Sequence, residues 1–222
     1  MRRPTVRLTV LGAGLALATV AAARFGGWAV ITVDDLPDYA EAGKAITISY
    51  VVRQHGFTLL SDLTSTVEAR SGSTILRAPS KSMGSGHYSA QLALPSAGDW
   101  SITIRSGFMR SEVTLLPLDV VAPKTTPAHA VASAERGKRL FVAKGCLTCH
   151  VHQDVAGSGV VAVGPELSGK RFAPQYLAMF LADPSIKPPS ANGQRMPKLE
   201  LRAPEIASLT AFINGEKQVT AR

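Results

Sequence analysis

Two cysteines and a histidine within five residues are the part of this 222-residue chain best suited to chemistry. Cys146 and Cys149 lie three positions apart, and His150 follows directly. Two thiols at this spacing can reach the two vinyl groups on neighbouring edges of one porphyrin, and the adjacent imidazole can then lie under the iron. The sequence therefore predicts one covalently attached haem c held by these three residues.

A cysteine pair at this spacing also occurs in redox-active dithiols and in zinc sites. A redox-active dithiol normally has a strand before the C-x-x-C motif and a helix after it. Here a helical pattern precedes the motif and a glycine-rich segment follows it. A zinc site would need a second Cys or His pair at finger spacing, which the sequence lacks. Both readings are weaker than haem attachment.

A second iron ligand is expected on a proline-rich loop near the C-terminus. Met196 stands there between Arg195 and Pro197. A thioether is a soft ligand that favours reduced iron. Met179 falls in an apolar helical stripe, and His152 is too close to His150 to reach the opposite haem face. The metal ligands predicted from the sequence are thus His150 and Met196.

The elements that must position these residues follow a helical period after residue 131. Apolar residues recur at helical spacing in three segments: Gly137 to Phe141, Tyr176 to Leu181, and Ile206 to Ile213. Pro204 and Glu205 suit the first turn of the third segment, and Asn214-Gly215 is a stop signal. We expect an all-α domain over residues 131–222.

Residues 134–217 resemble the class I cytochrome c family, on the haem motif, the Gly137/Phe141 pair and Gly164-Pro165. The resemblance implies that the first and last helices cross, with Leu209 and Phe212 as the partners of that pair. It also implies that the Pro165 carbonyl accepts a hydrogen bond from His150 Nδ1 and fixes its tautomer. Pro165 is therefore included with the cofactor-binding residues.

The preceding residues 24–121 alternate with the period of β-strands. Six or seven short strands separated by Gly, Ser and Pro turns are typical of an antiparallel sandwich. The expected strands are Trp28–Val33, Ala45–Val52, Thr66–Arg70, Tyr88–Leu94, Trp100–Arg105 and Val113–Leu118. Residues 122–130 contain two prolines and no hydrophobic period, so they are interpreted as a linker.

The β region resembles the FixH-like and YtkA-like families of small immunoglobulin-like extracytoplasmic domains. The resemblance is carried by Gly27-Trp28, His55-Gly56, Gly86-His87-Tyr88 and Gly98-Asp99-Trp100. It implies contact with respiratory or copper-handling machinery, and His55, His87, Met83 and Met109 are the residues that could bind copper. The predicted fold class is multidomain: an N-terminal immunoglobulin-like antiparallel β-sandwich followed by an all-α class I cytochrome c domain.

The first 23 residues have the features of an export segment. Three arginines precede sixteen uncharged residues, Leu8 to Ala23, and an Ala-Ala-Ala sequence offers a cleavage site. Cleavage as a signal peptide and retention as an N-terminal anchor both remain open. Either alternative places the remainder outside the cytoplasm, in the periplasm or on the outer face of the inner membrane.

Charge is unevenly distributed along the chain. Residues 131–222 carry 12 basic and 7 acidic side chains, whereas residues 24–122 carry 8 basic and 9 acidic ones. Basic residues without interleaved aromatic residues argue against nucleic-acid binding. We expect redox partner proteins, acidic ones included, that are steered by Lys144, Arg195 and Lys198.

The functional expectation is electron transfer in a respiratory chain by an extracytoplasmic single-haem cytochrome, free or as part of a membrane-anchored complex. Because His/Met ligation leaves iron no open position, catalysis is not expected. The alternative is an assembly or copper-handling factor for a terminal oxidase.

Overall fold

The computed structural model describes residues 27–127, 130–157, 160–191 and 193–215. The expected export segment lies outside the described residues. Within these ranges the chain forms β-strands first and helices afterwards. The strands are β1 (Ala29–Val33), β2 (Tyr39–Glu41), β3 (Ala45–Gln54), β4 (Thr58–Leu59), β5 (Thr66–Ser71), β6 (Thr74–Pro79), β7 (Lys81–Gly84), β8 (His87–Ala93), β9 (Gly98–Arg105), β10 (Glu112–Thr114) and β11 (Leu118–Val121).

The strands form two sheets that pack face to face. One sheet has the order β1-β3-β8-β7, with β4 paired to β3, and the other has the order β2-β11-β9-β5-β6, with β10 paired to β9. Neighbouring strands are antiparallel, except that β11 and β2 run parallel. The structure therefore confirms the predicted β-sandwich.

The alternation of apolar residues explains the sandwich core. Trp100, Ile102 and Ile104 point inward from every second position of β9, and all three are buried. Tyr50 and Tyr88 stack on one another across β3 and β8. The Tyr50 hydroxyl bonds Ser65 and Ser80, so this buried polar group is satisfied.

Each of the six expected strands has a counterpart, but the last one is split. Pro117 stands between β10 and β11 and cannot donate a backbone hydrogen bond, so the chain leaves β9 there and rejoins it further along. Strands β6 and β7 were not predicted. They lie at sheet edges with mostly exposed residues, so they lack the alternation that identifies a half-buried strand.

Four helices follow: α1 (Ser133–Ala143), α2 (Cys146–Cys149), α3 (Pro174–Ala182) and α4 (Ala203–Ile213), with a 3-10 turn at Pro184–Ile186. Helices α1 and α4 cross closely at Gly137. A Cβ atom at that position would lie 1.9 Å from the Ser208 carbonyl oxygen. Phe141 and Phe212 pack edge to face beside the crossing.

The predicted fold class is wrong in its second half. Helix accounts for only 21% of the described residues, and the helices after residue 131 are small. The described parts of residues 150–173 and of 187–202 form no α-helix, because Gly, Pro and polar residues interrupt the apolar period there. The part of the chain that the structure describes is thus rich in β-sandwich with four small helices, and it contains no large all-α cytochrome c domain.

The helices pack on the sandwich through both apolar and charged contacts. A single cluster of buried residues includes Trp100 from β9 and Phe141 from α1. Lys144, just after α1, donates to the Asp34 carbonyl at 2.8 Å, and Arg202, just before α4, bonds Asp35 at 2.8 Å. These contacts fix the helices against the end of β1. Across the described ranges, no helix has the length and apolar character needed to cross a membrane.

Candidate functional site

Helix α2 brings both cysteines into one helical turn. Cys146 is buried and Cys149 is half-buried, and both are free thiols. Burial raises the pKa of Cys146 to about 12, with a further contribution from neighbouring Cys149, and burial raises the pKa of Cys149 to about 11. Both sulfurs are therefore protonated at neutral pH, which is the opposite of an activated, nucleophilic cysteine.

His150 ends this helix and has a fixed ring orientation. Its Nδ1 lies 2.8 Å from the Pro165 carbonyl oxygen, the atom predicted to accept its hydrogen bond. A carbonyl can only accept, so Nδ1 carries the proton and Nε2 keeps a free lone pair. Burial lowers the pKa of His150, and the neutral imidazole is the form that can ligate a metal.

The segment after His150 folds back along α2. Val161 N–H donates to the Thr148 carbonyl at 2.8 Å, and Gly164 N–H donates to the Cys149 carbonyl at 2.8 Å. Gly164 is needed here, because a Cβ at that position would lie 2.5 Å from the His150 ring. These bonds place Pro165 beside the imidazole.

Several valines of this segment are exposed. The ones with about two-fifths of their surface in solvent are Val151, Val160, Val161 and Val163. Isolated exposed apolar side chains are ordinary on a protein surface, but four of them fall within the short segment that follows His150. We call Val151, Val160, Val161 and Val163 the valine rim.

Met196 lies on a different segment, which is held on the sandwich. The Arg195 guanidinium lies 5.1 Å from the centre of the Phe57 ring, and Pro197 contacts Gly56. Met196 itself is half-buried against the hydrophobic core. Thus, among the described residues, hydrogen bonds and one helical turn bring Cys146, Cys149, His150 and Pro165 together, whereas Met196 is placed by its neighbours' contacts with the sandwich.

The predicted cofactor, one covalent haem c, is contradicted. In the described part of the chain no three or more His, Cys, Asp and Glu side chains form a group that could hold a metal ion. The two cysteines are free and buried or half-buried. Residue spacing alone favoured this cofactor, and spacing does not report how side chains are arranged in three dimensions.

Lys144 was expected to be an exposed charge that steers redox partners, and that expectation is wrong. Its side chain is 3% exposed and pairs with Glu205 at 2.8 Å. Burial opposes ionisation of Glu205, but its hydrogen bonds from Arg202 and Lys144 outweigh burial and hold its pKa below the usual value. Sequence offers no signal for this pair, because its members lie on different helices.

His152 is a second residue whose role the sequence did not show. It is buried against Phe141 and Phe212, with ring centroids 5.8 Å and 4.4 Å away. Burial lowers its pKa, so it is a neutral aromatic core residue at pH 7. Only its position two residues after His150 could have drawn attention to it.

The copper candidates of the sandwich lie in different local environments. His55 packs edge to face on Trp28, 5.4 Å between ring centroids. Met83 lies on β7 and Met109 in a turn after β9, and both side chains are largely exposed. Their environments are those of surface and turn residues.

Comparison with known proteins gives only weak likenesses. No protein-family model and no curated protein matches the chain. Among solved structures, the Lin-41 filamin domain matches 42% of this chain and 91% of its own, with 15% identity and a TM-score of 0.35. A trypsin-activated alpha-2-macroglobulin from Escherichia coli matches 43% of this chain and 7% of its own, with 14% identity and a TM-score of 0.36.

A superoxide reductase (neelaredoxin) from Ignicoccus hospitalis is also similar over 41% of this chain and 80% of its own, with 11% identity and a TM-score of 0.30. The recognition of a class I cytochrome c domain fused to a FixH-like or YtkA-like domain is contradicted by the arrangement of side chains, because the described residues contain no group of His, Cys, Asp and Glu that could hold a metal ion. Short motifs carried that recognition, and such motifs recur in unrelated proteins.

Proposed function

We propose that the chain transfers single electrons between proteins outside the cytoplasm, through a metal-centred group for which His150 and Met196 supply ligands. The observation that carries this proposal is the 2.8 Å contact between His150 Nδ1 and the Pro165 carbonyl. An imidazole held through one nitrogen presents the other to a metal in a fixed direction, and this arrangement is typical of ligating histidines.

The donor types support the same proposal. Imidazole and thioether ligands suit copper and iron, the metals that carry single electrons in proteins. Among the described residues, no three His, Cys, Asp or Glu side chains lie close enough together to bind a metal ion by themselves. The proposed centre therefore takes one imidazole and one thioether from the chain, and Cys146 and Cys149 lie beside it as protonated thiols.

The surroundings suit brief contact with a redox partner. The valine rim offers a small apolar surface next to His150, and Arg195 and Lys198 beside Met196 are exposed. Transient electron-transfer interfaces are small, and complementary charge raises their encounter rate. We propose an acidic redox protein as the partner, with a membrane-anchored respiratory complex as one setting, and no enzymatic activity.

A redox titration of the exported full-length chain tests this function. Metal analysis and intact mass identify the bound group, and potentiometry followed by absorption counts the electrons. One reversible one-electron couple is expected in the unaltered chain and in the control Met179→Ala, which removes an exposed thioether on α3. His150→Ala should abolish the couple, and Met196→Ala should lower its potential because a thioether favours the reduced metal. A preparation with no bound metal and no reversible couple refutes the proposal.

A second candidate function, copper handling for terminal-oxidase assembly, is favoured by the two free thiols in one helical turn. Thiolate sulfur selects Cu(I), and binding would release the thiol protons. Titration with Cu(I) against a competing chelator distinguishes the two functions. A handling protein binds through Cys146 and Cys149 and releases copper to the chelator, whereas an electron carrier keeps its metal when both are replaced by serine.

A further inference from the structure

A cavity of about 140 Å³ lies between the sandwich and the helices, away from His150, and is partly open to solvent. Its lining residues come from β1, β3 and the segments next to α1 and α4: Thr32, Asp34, Val51, Arg53, Lys144, Leu199, Glu200 and Arg202. A water needs at least about 10–15 Å³ of such space, so this cavity has room for several atoms. Inorganic phosphate and acetate, with five and four non-hydrogen atoms, are of that size.

Arg53 is the lining residue with the most unused bonding capacity. Its side chain is 8% exposed, yet its contacts are long: 3.4 Å to the Thr32 hydroxyl and 3.5 Å to a Glu200 carboxylate oxygen. A guanidinium has five N–H donors and stays charged, so burial with two long contacts is costly. Two oxygens of a carboxylate or a phosphate could accept two of these donors side by side.

The other two cations of the cavity are better satisfied. Lys144 bonds Glu205 and the Asp34 carbonyl, both at 2.8 Å, and Arg202 bonds Glu205 at 2.9 Å. They hold the cavity's shape and add positive potential to it. The guanidinium of Arg53 is the group that faces the cavity with donors to offer.

Glu200 is an exchangeable counter-ion for Arg53. Its side chain is 72% exposed, and its backbone has a φ of +57°, a conformation that is costly for a residue other than glycine. Such strain is commonly found where a ligand is clamped. A carboxylate that is already largely in water can turn outward at little cost and leave Arg53 to another anion.

We propose that this cavity is a binding site for a small oxyanion, a phosphate or a carboxylate, which Arg53 holds and for which Glu200 competes. The site is separate from the proposed redox centre and does not depend on it. Asp34, which also lines the cavity, opposes anion binding and sets an upper limit on affinity.

Thermal unfolding of the full chain in phosphate, in acetate and in chloride at matched ionic strength tests the site. Phosphate or acetate should raise the unfolding temperature above the chloride value, since a ligand that binds only the folded state stabilises it. The two anions distinguish a phosphate site from a carboxylate site. Arg53→Lys should reduce the shift severalfold, because lysine keeps the charge but loses the paired donors.

Glu200→Gln should increase the shift severalfold by removing the competing carboxylate, and Glu112→Gln, a charge loss on the sandwich, serves as its control. This opposite effect separates anion binding from a general loss of stability in the Arg53 variant. The proposal is overturned if neither anion exceeds chloride, or if Glu200→Gln and Glu112→Gln respond alike.

Discussion

Removal of the Lys144 ammonium should loosen the helices from the sandwich. Lys144→Met keeps most of the side-chain volume but removes the 2.8 Å bonds to Glu205 and to the Asp34 carbonyl. A bond to a charged group contributes about 1.5–3 kcal/mol, and breaking a buried pair costs about 3–5 kcal/mol. Since Glu205 keeps two bonds from Arg202, at 2.8 Å and 2.9 Å, we expect the lower end, about 3 kcal/mol.

Glu205→Gln should cost at least as much as Lys144→Met, because it leaves the buried ammonium without a counter-charge. The double variant should be more stable than the sum of the two losses by about 1–3 kcal/mol, since residues in one network are coupled. Asp35→Asn is the matched control: this carboxylate also bonds Arg202 but is 76% exposed, so its loss should cost no more than about 1 kcal/mol.

Urea unfolding of the unaltered chain and the four variants at pH 7, followed by tryptophan fluorescence, measures these differences. The pKa of Glu205 is lower in the folded state than in the unfolded state. Its contribution is therefore complete above its unfolded pKa of about 4.3 and is lost as the pH falls through the folded value. A loss below about 1 kcal/mol for Lys144→Met, or full additivity in the double variant, would refute the reasoning.

Three further results are expected. Gly137→Ala should destabilise the chain by about 1–3 kcal/mol or more in urea unfolding, because the added Cβ would overlap the Ser208 carbonyl; an unchanged midpoint would contradict the close crossing. Burial lowers the folded pKa of His152, so stability should decline as the pH falls below about 6.5, by at most about 1.4 kcal/mol per pH unit, and His152→Gln should lack this component. Iodoacetamide at pH 8 should alkylate Cys149 slowly and Cys146 more slowly still in metal-free folded protein, and quickly in urea; rapid labelling of the folded protein would mean that the raised pKa values are wrong.

Much of the sandwich could be predicted from the sequence, because alternation is a local property. Trp100, Ile102 and Ile104 alternate with more exposed residues along β9, and only a strand places them on one face. The edge strands β6 and β7 were not predicted, because their mostly exposed residues show no alternation. They form strands because β6 pairs with β5 and β7 pairs with β8.

The candidate site was predictable where its residues are adjacent in sequence. The Cys146, Cys149 and His150 grouping is set by the motif and a single helical turn, and Gly164-Pro165 pointed to the carbonyl beside the imidazole. The spacing of these residues was not sufficient to identify a haem cofactor or a cytochrome family. The arrangement of the described side chains contradicted it.

The two hydrophobic periods, the position of the β region before the helices and the local grouping around His150 can all be inferred from residue order. Each depends on contacts between residues that are near in the chain. The burial of Lys144 with Glu205, the place of His152 in an aromatic core and the position of Arg53 at a cavity follow only from the folded chain. These facts depend on which distant segment packs against each residue, and burial, not residue type, then sets the charge and bonding of each group.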